Sequence, residues 1–342
     1  MKARDFADRV VASWRTHADR WLLAGAATAL ATCLLQPGWP VERARFDHVI
    51  VLDITQSMDV QDESLDGKPA SRLSYAKEAL RRALLHLPCG SKVGWGVFTE
   101  YRAFLLFEPV EVCANLTELR ATLAHIDGRM AWNGNSEISK GLHSGLQVAK
   151  QLAGSPSLVF VTDGHEAPPL SPQHRPAFDD KPGEVKGLIV GVGDARPSRI
   201  PKSDPSGQPL GFWQSDEVAQ ADLYGRGTSV TGERMTEDAA VAPMPALGAT
   251  PGSEHLSALR EPYLRLLARE RGLGFLRLGS PDELAAALTG PALAKPMQVR
   301  ADGRILFALL ALILLLARHA ATLRRLPLSD GLPTLRTVKR PK

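Results

Sequence analysis

The sequence predicts an α/β fold: a doubly wound, Rossmann-like domain around a central, mostly parallel sheet, flanked by one apolar segment on each side. Three observations predict it. The runs "HVIVLD" (48–53), "SLVFVTD" (157–163) and "VKGLIVGVG" (185–193) are continuous, β-branched and short, the pattern of strands buried on both faces. Between them lie stretches with apolar residues at helical spacing. The two kinds of segment alternate, which calls for a sheet wound by crossover helices.

The 342 residues suffice for a large core, and the hydrophobic share of 44% and charged share of 23% are ordinary for a globular chain. A net charge of +4 is too small to point to nucleic acid. Three cysteines exclude a disulfide scaffold and any Cys-rich zinc module.

Residues 1–20 form a basic tail, and the uncharged run from Trp21 to Leu35 extends to Trp39, which predicts a transmembrane helix over 21–39. The run "ILFALLALILLLA" predicts a second over 305–323, with Arg318 snorkelling, followed by a basic tail over 324–342. The tails together with Arg318 hold twelve Lys and Arg residues and the inner flanks five, which places both tails in the cytoplasm and the middle of the chain outside it. A cleaved signal peptide is the alternative for the first segment, although no clean small-residue cleavage site follows it.

In the middle domain, 46–290, helices are expected over 72–87, over 115–126 with Asn115 as cap, over 136–153, and over 261–272 closed by Gly272. Strands are expected over 92–99 and 103–110, joined by a tight turn near Tyr101. That turn sets Cys89 opposite Cys113, close enough for a disulfide outside the cytoplasm; two buried free thiols are the alternative. Residues 194–256, rich in Pro, Gly and Ser, read as a surface insertion, a loop more than a dedicated binding element.

Ligands of open α/β sheets bind beyond the carboxyl ends of the strands. Three segments bring polar residues there: Asp53, Thr55 and Ser57 after the first strand, Ser136 in "WNGNSEIS", and Asp163 at the end of "VFVTD". Two carboxylates and three hydroxyls are hard-cation chemistry, for Mg²⁺ or else Ca²⁺ or Mn²⁺, and they fill only part of a six-oxygen shell. A carboxylate on a partner protein could complete it.

A strand ending D-x-S-x-S, a distant loop hydroxyl and a strand ending T-D-G resemble the metal-ion-dependent adhesion site of the von Willebrand factor A domain, over roughly 45–290. Thr55 stands for the first Ser of that pattern and Ser136 for its Thr; both keep the oxygen. The resemblance implies direct ligation by the hydroxyls at 55, 57 and sometimes 136, with Asp53 and Asp163 often acting through water. The stretches "RIPKSDPSGQPLGFW" (199–213), "FVTDGHEAPPL" (160–170) and "SRLSYAKEAL" (71–80) are similar to membrane-anchored bacterial members, those of the methanol dehydrogenase gene cluster and the related Bat proteins. That implies an inner-membrane protein with its domain in the periplasm. It implies a maturation factor for a methanol dehydrogenase-type enzyme, in calcium insertion, working with a MoxR-type AAA+ ATPase. A scaffold subunit of a Bat/MoxR-type membrane complex, its site only bracing loops, is the alternative.

An enzyme is not expected. The segment Asp53-Ile54-Thr55 lacks the second acid that a haloacid-dehalogenase nucleophile needs, and no G-x-S-x-G, H-E-x-x-H or Walker A motif occurs. Asp62, Ser64, Asp66 and Gly67 imitate the start of an EF-hand loop, but Leu73 stands where its bidentate Glu belongs, so 62–67 reads as a surface turn. His165 and Glu166 read as rim residues of the site.

Overall fold

In the computed structural model of the protein, the described residues are 20–132, 134–170, 176–204, 206–218, 234–235 and 254–323. Nearly all of both expected tails, and most of the second half of the insertion, lie outside them. The chain divides into a unit spanning Ala44–Pro296 and a smaller one from Met1–Arg43 with Met297–Lys342.

The larger unit is the α/β domain. Its elements run β1 (Asp47–Asp53), α1 (Arg72–Leu84), β2 (Lys92–Thr99), β3 (Arg102–Leu105), β4 (Val110–Glu111), α2 (Leu116–His125), α3 (Ile138–Gln151), β5 (Ser157–Thr162), β6 (Gly187–Gly191), α4 (Glu261–Arg271), β7 (Gly274–Arg277) and α5 (Glu283–Leu288). The spatial order is β7-β6-β5-β1-β2-β3, with β4 also on β2. All neighbours from β7 to β2 are parallel, while β3 and β4 run antiparallel to β2.

Alternation along the buried strands builds two cores. Val49 and Val51 of β1, with Leu158 and Phe160 of β5, meet Leu142 of α3 and Leu264 of α4. Ile50, Leu52, Val159 and Val161 point the other way, onto Leu80 and Leu84 of α1 and Leu288 of α5. The period-two geometry of a strand forces this split, and it explains why both strands are apolar through their middles, Val49–Leu52 and Leu158–Val161. From β1 the chain winds to β2 on one side and later returns to β5 on the other. The carboxyl ends of β1 and β5 therefore flank the switch point, where such sheets open a crevice.

Several element ends differ from the sequence expectation. The second strand of the hairpin stops at Leu105 instead of continuing to 110. Thr99 pairs with Arg102, and pairing resumes with Val93 opposite Val110, shifted by two positions. Beyond it Cys89 and Cys113 are disulfide-bonded, their Cα atoms 5.3 Å apart. Asn115 does not cap α2 through its side chain; its amide donates to the Glu111 carbonyl at 2.8 Å. The next helix starts at Ile138, two residues past Ser136. Gly272 closes α4 at φ 67°, the left-handed conformation that a helix C-terminus favours.

The smaller unit contains a helix over 20–34 and the 20-residue helix Arg304–Leu323, and the strands Gly38–Arg45 and Lys295–Asp302 pair beside them. The first helix ends short of the expected Trp39, because Pro37 bars its continuation and the chain turns into a strand at Gly38. Among the described residues no helix is long and apolar enough to cross a membrane. Ala26, Ala29 and Ala311 pack together with Leu314, while Leu306, Leu309, Ile313 and Leu316 stay exposed.

Candidate metal centre

Asp53 ends β1, and its neighbours turn back on it. The Thr55 amide donates to Asp53 Oδ1 at 2.9 Å and the Thr55 hydroxyl to the same oxygen at 2.7 Å. From β5, the Thr162 hydroxyl donates to Asp53 Oδ2 at 2.6 Å. Both oxygens are satisfied from within the two strand ends. Burial, together with the nearby Asp163 carboxylate, nevertheless pushes the acid well above the usual carboxylate range.

Ser57 sits in the short 3-10 turn Gln56–Asp59 that follows. Its Oγ lies 3.2 Å from Thr55 Oγ1 and donates to Asp163 Oδ1 at 3.3 Å. A line of oxygens thus runs from Asp53 through Thr55 and Ser57 to Asp163, across the switch point. The His165 amide donates to Asp163 Oδ1 at 2.9 Å.

The other Asp163 oxygen belongs to a charged network. Arg72 Nη1 donates to Asp163 Oδ2 at 2.5 Å, and the Ser257 hydroxyl donates to the same atom at 2.9 Å. On its far side Arg72 grips Asp62 through Nε at 2.9 Å and Nη2 at 2.6 Å. Arg72 also donates to the Ser57 and Ser257 carbonyls at 3.4 and 3.1 Å. Both Arg72 and Asp163 are 0% exposed. Burial alone would raise the Asp163 acid, but the Arg72 guanidinium and the donors around it hold it below the usual range.

Ser136 arrives from the loop before α3. Its backbone bridges Ala167 in both directions at 2.8 Å, which fixes the loop against the segment after β5. Its hydroxyl is buried and has no partner. A cavity of about 180 Å³ collects Thr55, Ser57, Ser136 and His165 on one wall. The five residues expected from the sequence therefore converge: three hydroxyls at or beside the cavity, and two carboxylates directly behind Thr55 and Ser57.

The insertion lines the cavity as well. Ile200, Trp213, Glu217 and Glu254 line the same cavity, and the Trp213 indole donates to Gln56 Oε1 at 2.6 Å. The described ends of 194–256 thus help to enclose the site, while Ala195–Pro197 and Ser206–Phe212 stay exposed as in a surface insertion. His165 and Glu166 are buried, not rim residues. Glu166 Oε1 accepts from the Ser139 amide at 3.3 Å and from the Tyr263 hydroxyl at 2.5 Å, while burial pushes the acid up to about 8. In effect Glu166 caps the start of α3.

The structure adds Arg72, Asp62, Ser257 and Thr162 to the residues singled out from sequence. Asp62, within the EF-hand imitation, is an ion-pair partner here. The turn of that segment is made by Asp66 and Gly67, both at positive φ. Among the described residues, Cys89, Glu111 and Cys113 are close enough to share an ion, but the disulfide leaves no thiolate there.

Thr55, Ser57, Ser136, Asp53 and Asp163 all offer oxygens, the ligand type that hard divalent cations take, and the His165 Nδ1 at the same cavity is a nitrogen beside them. The orphaned Ser136 hydroxyl is a buried donor and acceptor that an ion's shell would satisfy. Thr55, Ser57 and Ser136 could hold the ion from one side. Asp53 and Asp163, engaged with those hydroxyls, could supply charge from behind. The cavity leaves room for an oxygen ligand from another molecule.

These features define an open-sheet α/β domain with a candidate site at the switch point. Residues 48–165, the stretch that contains Asp53, Ser136 and Asp163, match the family model described as von Willebrand factor type A domain. No curated protein matches the chain. Solved structures with a similar outline include an aerotolerance-related membrane protein from Bacteroides fragilis, at 16% identity and a TM-score of 0.43, covering 71% of this chain and 96% of that one. BatB from Bacteroides thetaiotaomicron is similar at 16% identity and 0.44, over 71% and 95%. The manganese-loaded TRAP protein of Plasmodium vivax is similar at 10% identity and 0.38, over 78% and 81%. These likenesses are too distant to carry an argument about function.

Proposed function

We propose that this chain is a non-catalytic binding protein that grips a carboxylate of a partner protein through a divalent cation. On this reading Thr55, Ser57 and Ser136 hold the ion, and Asp53 and Asp163 support it. The observation that carries the reading is the buried Ser136 hydroxyl, left without a partner at a cavity where the hydroxyls of Thr55 and Ser57 are already engaged. The ion supplies a positive centre that an anionic ligand can reach, and the chain's own residues fix where that centre lies.

We further propose that the apolar helices of the smaller unit anchor the protein at a membrane. Their outward leucines and isoleucines support this, although neither helix, over the described residues, has the length and apolarity to cross one. The Cys89–Cys113 disulfide supports an oxidising compartment such as the periplasm. The client is then a periplasmic enzyme under assembly, of the methanol dehydrogenase type, with a MoxR-type ATPase as a further partner.

A scaffold role is the second reading. It is favoured by the way Asp53 and Thr55, and Ser57 and Asp163, already satisfy one another without an ion. Titration of Mg²⁺ or Mn²⁺ into the full chain and into Asp53→Ala and Ser136→Ala separates the two. Ion binding that both substitutions weaken, together with client capture lost in EDTA, is expected. Capture that survives both EDTA and Asp53→Ala would leave the scaffold.

A further inference from the structure

The Arg72 guanidinium joins Asp62, Asp163, Ser57 and Ser257 behind the candidate centre. It starts α1, pairs with Asp62, binds Asp163, and holds the Ser257 hydroxyl at 2.6 Å. The chain makes space for it: a Cβ at Gly193, which sits at φ 117°, would lie 2.5 Å from Arg72 Nε. Gly193 and Asp194 also tie into the same corner, their amides donating to Glu63 at 3.0 Å and to Asp62 at 3.1 Å. Both ends of the insertion therefore meet at this guanidinium, through Asp194 and through Ser257.

A fully buried arginine costs desolvation and is retained only where its charge is matched. Here it is matched by two acids that differ in their place. Asp163 stands between Arg72 and the oxygens of the candidate centre, whereas Asp62 stands on the opposite side of the guanidinium, away from them. A fixed positive charge directly behind Asp163 weakens that acid's pull on a cation. It also leaves a bound cation less neutralised, and so more attractive to an anionic ligand.

Resting on the cation-binding reading above, we propose that Arg72 is a built-in counter-charge that sets the site's ion affinity and strengthens its hold on an acidic partner, with Asp62 tuning it from the far side. Arg72 is a positioning residue in this scheme: it acts through Asp163 and touches neither ion nor ligand. The arrangement trades ion affinity for affinity toward the partner's carboxylate.

Opposite-sign substitutions test it. Mn²⁺ affinity of the full chain in detergent is measured by electron paramagnetic resonance for the wild type, Arg72→Gln, Arg72→Lys and Asp62→Asn, with circular dichroism reporting the fold. Removing a unit charge a few ångströms from the ion is worth on the order of tenfold in affinity in a partly screened interior. Arg72→Gln is expected to tighten Mn²⁺ by about that factor, Asp62→Asn to loosen it, and Arg72→Lys to stay near the wild type. Structural damage alone would move Arg72→Gln and Asp62→Asn in the same direction, and that result, or no shift in either, overturns the proposal. If Arg72→Gln does not fold, Asp62→Asn decides by itself: unchanged or tighter Mn²⁺ binding rejects the counter-charge. An Asp53→Asn control separates this from the underlying reading. Mn²⁺ binding that is absent from the wild type, or indifferent to Asp53→Asn, sinks both; binding that depends on Asp53 but is not shifted oppositely by the two variants sinks only the role of Arg72.

Discussion

The two sides of the candidate centre are built in opposite ways. Around Asp163 both carboxylate oxygens are taken, by Ser57, His165, Arg72 and Ser257, and the acid has no freedom left. Around Ser136 the backbone is pinned at 2.8 Å to Ala167, but the hydroxyl is left open toward a cavity. A saturated wall holds its geometry without a ligand, and an unsaturated wall takes its last partner from outside. The contrast assigns stability to one side and reception to the other.

The largest effect that would break this contrast comes from the saturated wall. Arg72→Met leaves Asp163 buried beside Asp53 without a counter-ion, and loss of one partner of a buried pair costs about 3–5 kcal/mol. Urea denaturation of the full chain checks this; a loss below about 1 kcal/mol, the value of a surface pair, would place Asp163 in a wetter environment than the structure gives it.

A middle-sized effect follows from Glu166, which links the two walls by capping α3 behind Ser136. Its folded acid, up to about 8, lies above the value of about 4.3 for an unfolded chain. The native state therefore holds a proton that the unfolded chain releases. Its stability contribution is complete below about pH 4.3 and is lost as pH rises toward 8. Glu166→Gln should flatten that decline, raising the melting temperature at pH 8 relative to the wild type more than at pH 5. Parallel curves at the two pH values would show that Glu166 is ionised in both states.

The smallest effect on stability, and the sharpest on the contrast, belongs to Ser136→Ala. Its hydroxyl has no partner to lose and is buried unsatisfied, so without an ion the substitution should leave unfolding free energy unchanged or raise it by about 1 kcal/mol. Ser57→Ala, on the saturated wall, should cost about 1 kcal/mol for its bond to Asp163. Equal losses in the two variants, measured side by side by denaturation, would erase the distinction between the walls.

Much of this was legible in the sequence, and for physical reasons. A strand buried on both faces must be apolar until it leaves the sheet, so Asp53 and Asp163 announce themselves as the first acids after such runs. Their common position at strand ends then follows from the parallel winding. The hairpin near Tyr101 was visible too, and with it the opposition of Cys89 and Cys113, although the shifted register between Leu105 and Val110 was not. Arg72 was hidden because "SRLSYAKEAL" reads as the wet start of an amphipathic helix, and a charge there is ordinarily solvated. Only Gly193, more than a hundred positions away, marks the space the guanidinium needs. The insertion misled for a related reason: its Pro and Gly content describes irregular backbone and carries no information about Trp213 reaching Gln56. The helix expected over 21–39 runs five residues past the observed one because hydropathy continues through Trp39 while helix geometry ends before Pro37.

The broken hairpin has a consequence for how other chains can approach. Beside β2 the sheet's outer rim is not one long strand but two short pieces, Arg102–Leu105 and Val110–Glu111, out of step with each other and closed off by the disulfide beyond them. A rim so interrupted offers no continuous row of free amides and carbonyls for an incoming strand to pair with. Strand addition, the common route by which sheets recruit peptides or polymerise, is blocked on this border by covalent and geometric means together.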